Sequence, residues 1–150
     1  MDEKDDERGD KIIKTEHVKT IKEILWEFLD EQQAHLSPKT YSGYEEAIAY
    51  FRMYLNNFGH QHLNKTETKR YEKLEASQDK KFWEIFDHEH LRSSEIYDFL
   101  ADFMVRKVDG SRTLMETTDR VMSKLVKWLH EKSYMPDKEY EETIKIGSCP

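Results

Sequence analysis

The chain has 150 residues, a formal net charge of −7, 37% hydrophobic and 12% aromatic residues, and one cysteine. That is one domain's worth of chain with enough bulky side chains to build a core, which excludes disorder throughout. No apolar run approaches the length of a membrane span, the N-terminus MDEKDDERGDK is too polar for a secretion signal, and Cys149 has no partner for a disulfide or a cysteine zinc site; a cytoplasmic protein with no membrane contact is expected.

The charge is uneven. Residues 1 to 10 carry −4 and residues 137 to 150 carry −2, leaving the body between them at −1. A nearly neutral body can still carry a basic face, and the local field is what steers a polyanion.

The first dozen residues lack periodicity and read as a solvated tail. From Thr20 the pattern turns helical: Thr20 and Glu23 form a capping box, and Ile21, Ile24, Leu25, Phe28 and Leu29 make an apolar stripe ending near His35. The strongest signal follows, from Ser37 to Gly59. Ser37 is an N-cap, Pro38 suits the first helical position, and Tyr44, Ile48, Phe51, Leu55 and Phe58 form one seam. Gly59 is expected to close this second helix in the left-handed conformation.

Residues 60–86 are a polar excursion. A surface helix over 67–79, with Tyr71 and Leu74 on one side, is expected to be docked by the cluster Phe82, Trp83, Ile85 and Phe86, whose role is packing. Asp87 can cap a short turn through Leu91. Ser93 or Ser94 is the expected cap of a third main helix with Ile96, Phe99, Leu100, Phe103 and Met104 on its apolar side, broken at Asp109 and Gly110. The fourth main helix starts at a Thr113–Glu116 capping box or at Ser111, buries Leu114, Val121, Leu125, Trp128 and Leu129, and stops before Pro136. Beyond it, 137–150 has no period and is expected to be loosely held. No strand is expected. The reading is an all-α bundle of four main helices, four to five in all.

Chemistry is sparse. His88, Glu89 and His90, and the pair His60 and His62, have H-x-H spacing that points side chains about 200° apart on a helix, so no metal is expected. No nucleotide-binding loop or nucleophile elbow is present, no inward pair of carboxylates stands out, and neither an enzyme nor a cofactor is indicated. The outer face of the fourth main helix is more informative. Thr113, Thr117, Arg120, Lys124 and Lys127 recur at steps of three and four, donors suited to phosphates or base edges, with Glu116 and Glu131 interrupting. An ordinary salt-bridged helix face is the alternative reading.

The segments TIKEILWEFLDEQQAHLSPKTYSGYEEAIAYFRMYL, LRSSEIYDFLADFMVRK and SRTLMETTDRVMSKLVKWLHEKSYM, with Ser37, Thr40 and Tyr44 opening the second helix, resemble the SAM-like core-binding domain of tyrosine recombinases of the phage integrase type. The likeness covers most of residues 18 to 135. It implies an orthogonal helical bundle over 16–136, with an acidic flexible tail at 1–15, that grips double-stranded DNA through its second and fourth main helices. Carried over by position, the contacts are Lys39, Thr40, Ser42 and Arg52 on the second helix, and Arg112, Thr113, Thr117, Arg120 and Lys124 on the fourth. Two features depart from the family: the 60–86 stretch is longer than its usual connection, and neither an H-x-x-R box nor a nucleophilic tyrosine context follows. The resemblance therefore implies a non-catalytic DNA-binding module; the alternative is a helical module that keeps the fold and binds a protein partner or a second copy of itself.

Overall fold

The computed structural model describes residues 18–108 and 111–147. The acidic N-terminal stretch, the Asp109–Gly110 breaker and Cys149 lie outside them. Every regular element among the described residues is helical.

α1 (Ile21–Gln33) begins at the expected capping box: the Glu23 amide donates to Thr20 Oγ1 at 3.3 Å, and the Thr20 amide donates to Glu23 Oε1 at 2.9 Å. α2 (Pro38–Phe58) starts at Ser37, whose hydroxyl oxygen accepts from the Thr40 amide at 3.3 Å. Its seam is buried at Ile48, Phe51 and Leu55 and part-buried at Tyr44 and Phe58; Ala47 and Tyr54 are buried with them.

Gly59 departs from expectation. Its φ of −59° is right-handed, and the chain runs on through a 3₁₀ turn, Gly59–His62. The residue is small for a packing reason: a Cβ there would stand 3.0 Å from the Phe82 ring.

The excursion is two helices. α3 (Lys65–Gln78) starts two residues earlier than expected because Asn64 and Glu67 cap each other, at 2.8 and 3.0 Å. No residue of α3 is fully buried, so its hold on the body is local: Glu67 Oε2 meets His90 Nε2 at 3.1 Å, and Tyr71 lies edge-on to Phe82. α4 (Phe82–Ile85) is one turn, and Phe82, Trp83, Ile85 and the following Phe86 are all buried. The aromatic cluster is core, packed on α1 and α2.

α5 (Ser93–Asp98) continues directly into a π-helical segment, Phe99–Val108, which together form the third main helix. Neither Ser93 nor Ser94 caps it. The first free amides are taken by carboxylates instead, Arg92 N by Glu95 Oε1 at 3.2 Å and Ser93 N by Glu139 Oε2 at 2.6 Å. Charged acceptors suit the positive end of a helix better than a hydroxyl.

α6 (Arg112–Glu131) is capped by Ser111, which accepts from the Leu114 amide at 3.1 Å. It ends in a Schellman arrangement: Tyr134 N donates to Leu129 O at 2.9 Å, Ser133 N donates to His130 O at 3.1 Å, and Ser133 is left-handed at φ 67°.

The C-terminal reading is corrected. Residues expected to be loosely held form α7 (Asp137–Gly147), packed against α5 and α6. Tyr140, Thr143 and Ile144 line an apolar cavity with Ile96, Leu100, Met122 and Val126, and Glu139 supplies the cap on α5. His130 stacks on Tyr140 at 4.2 Å and meets Asp137 at 2.6 Å, so the junction is tied from both sides. Among the described residues the architecture is an all-α bundle of seven α-helices around one core.

Candidate nucleic-acid interface

α2 and α6 cross in contact where Gly43 faces Thr117. A Cβ on Gly43 would come within 3.3 Å of Thr117 Cγ2, so the pair sets how closely the two helices approach. Thr117 is half-buried there, while Thr113, Arg120, Lys124 and Lys127 continue the same side of α6 in the open. Arg120 Nη2 donates to Thr117 Oγ1 at 3.5 Å, which lays the guanidinium along the strip. Lys124, Lys127 and Arg120 make no ion pair among the described residues.

The first turn of α2 adds Lys39, Thr40 and Ser42, all exposed. Lys39 makes no ion pair among the described residues. The Thr40 side chain is committed locally, accepting from the Ser37 hydroxyl at 3.1 Å. Ser42 and Lys39 share their side of α2 with the exposed Glu46.

Two of the residues carried over by resemblance stand differently. Arg52 follows Gly43 by nine residues, two and a half helical turns, and so lies on the opposite flank of α2 from the α6 contact. Its guanidinium sits 5.6 Å from the Trp83 ring. Arg112 pairs with Glu116 at 3.3 Å across one turn of α6, a contact with both side chains well exposed. Thr113, Thr117, Arg120, Lys124 and Lys127 thus share one side of α6, Lys39 lies one turn before the Gly43 contact on α2, and Arg52 is set apart.

Acids border the strip. Lys124 and Lys127 line a cleft with His35, Tyr44, Glu31 and Glu131. Glu31 is already engaged: it accepts from the Lys132 ammonium at 2.8 Å and from the Trp128 indole at 3.0 Å, and these donors hold its carboxyl below the usual carboxylate range. Glu131 is exposed beside the lysines.

His62 and His90 are engaged by neighbouring side chains. His62 Nε2 lies 2.8 Å from Asp98 and 3.2 Å from the Tyr54 hydroxyl, and burial followed by the Asp98 charge pushes the Tyr54 phenol well above its usual value. His90 is buried against Phe82, Phe86 and Glu67. Among the described residues no three His, Cys, Asp or Glu side chains converge as a metal cage requires. No helix among them is long and apolar enough to cross a membrane.

Compared with protein-family models, with curated proteins and with solved structures, the chain matches none.

Proposed function

We propose that this chain is a non-catalytic DNA-binding module of the integrase core-binding type, gripping a duplex through the first turn of α2 and the outer side of α6. The observation that carries this reading is the set of cations without an ion pair among the described residues, Lys39, Arg120, Lys124 and Lys127, on the two helices that meet at Gly43 and Thr117. Cations without internal partners are free to neutralise phosphates, and the hydroxyls of Thr113 and Thr117 would orient the module without reading sequence. The order of the helices along the chain, with its likeness to the integrase domain, supports the same reading.

The test is duplex binding by fluorescence anisotropy over a salt series. Four phosphate contacts give a slope of log K against log salt between about −3 and −4. A flat response, or no binding at low salt, overturns the proposal. A protein-binding role for the same bundle is the second reading. It is favoured by Glu46, Glu116 and Glu131, which break the basic strip, and by the large apolar side chains left exposed elsewhere, Trp26 among them.

A further inference from the structure

On the other flank of α2 the surface has the opposite character. Trp26 of α1 is 55% exposed, although its ring edge rests on Trp83. Together with Leu29 and the half-buried Tyr41 of α2 it walls a groove between the two helices. Tryptophan left this open on a helix that otherwise buries its apolar side chains marks a contact surface. The rims are carboxylates. Glu27 is engaged by Lys19 at 3.1 Å and by the Tyr134 hydroxyl at 2.7 Å, and Glu23 caps α1. Asp30 of α1 and Glu45 of α2 both line the groove, with no hydrogen bond or ion pair among the described residues.

We propose that the α1–α2 groove is a docking surface for a basic segment of a partner protein, taking a lysine or arginine side chain between Trp26 and Tyr41 and pairing it with Asp30 and Glu45. Charge complementarity identifies the occupant. Aromatic faces attract cations, two carboxylates without partners among the described residues line the same groove, and together they disfavour any polyanion there. Trp26 already makes such a contact within the chain: the Lys22 ammonium lies 4.8 Å from its ring centre, its charge offset by Glu84 at 3.2 Å. Burial, followed by the charges of Glu45 and Asp30, raises the Tyr41 phenol above its ordinary value. This surface is separate from the DNA-facing strip, because Glu45 is two residues, about 200° of helix, from Gly43.

The probe is a blocked hexa-arginine peptide, with hexaglutamate as control, titrated into the ¹⁵N-labelled 150-residue chain. The Trp26 indole signal, assigned with a Trp26→Phe variant, shifts saturably with hexa-arginine and stays still with hexaglutamate. In the Asp30→Asn, Glu45→Gln double variant, whose substituted residues have no partners to lose among the described residues, the apparent Kd rises by about tenfold. The proposal is overturned if the double variant binds like the parent, or if the shifts fall on other acidic surfaces such as α7 and leave Trp26 unmoved. Trp26 shifts that follow protein concentration without peptide would make a second copy of the chain the occupant, and overturn it too. None of these outcomes depends on duplex binding.

Discussion

Gly59 and Phe82 stand so close that a single added methyl group would press against the aromatic ring, at 3.0 Å from two of its carbons. Phe82 is fully buried, so the ring has little room to retreat. Gly59→Ala is expected to destabilise the fold by about 1 to 3 kcal/mol, the usual cost of overpacking, even though alanine suits the right-handed backbone there. Urea unfolding measures it; an unchanged midpoint would show that the excursion yields freely.

Thr118 gives a change of the opposite sign. Its side chain is fully buried in α6 and its hydroxyl has no hydrogen-bond partner among the described residues. Thr118→Val keeps the shape and removes the stranded dipole, and is expected to stabilise by about 1 kcal/mol. A loss of stability would mean that a water satisfies the hydroxyl.

Ser133 holds a left-handed conformation at φ 67° in the turn that ends α6. Glycine adopts that conformation without strain, so Ser133→Gly is expected to raise stability by about 0.5 to 1 kcal/mol in thermal or urea unfolding. The side chain is exposed and no contact is lost with it.

Much of this was legible in the sequence, and the parts that were not have physical reasons. α1 and α2 announce themselves through Thr20 and Ser37, and α6 through its long apolar seam. The expected Thr113–Glu116 box does not cap α6: Thr113 lies within its first turn, and the alternative start, Ser111, is the cap. α7 was hidden because Pro136 read as a stop. It is also the point where the next helix begins: Pro136 O accepts from Tyr140 N at 2.9 Å, and Tyr140, Thr143 and Ile144 already had helical spacing. The π-helical run left no trace, since widening a turn changes hydrogen-bond partners while Phe99, Phe103 and Met104 stay apolar and buried. On α6 the donor strip was visible from spacing alone. The separation of Arg52 was not, because it depends on which flank of α2 meets α6, a tertiary fact settled at Gly43.

Glu84 supplies a pH signature. It accepts from the Lys81 amide at 3.0 Å and from the Lys22 ammonium at 3.2 Å, and these donors hold its carboxyl below its ordinary value of 4.5. A depressed carboxylate stabilises the fold fully above its ordinary value and loses that contribution as pH falls through the lower, folded value. Glu84→Gln is therefore expected to be less stable than the parent at pH 7, with the gap closing below about pH 4. A gap that persists at low pH would point to lost packing.

Charge reversal separates the α6 strip from the far flank of α2. Lys124→Glu or Arg120→Glu is expected to weaken duplex binding by about tenfold at low salt, whereas Arg52→Glu changes it by less than about twofold. Equal effects at all three would mean diffuse attraction to the whole body, with no defined grip.

Because a carboxylate of α7 closes the start of α5, residues far apart in the chain finish one another's helices. A protein shortened to end at residue 136 would lose more than a terminus. Ile96, Leu100, Met122 and Val126 would be laid bare to water and the Ser93 amide stripped of its acceptor, so the truncated chain should self-associate and melt early.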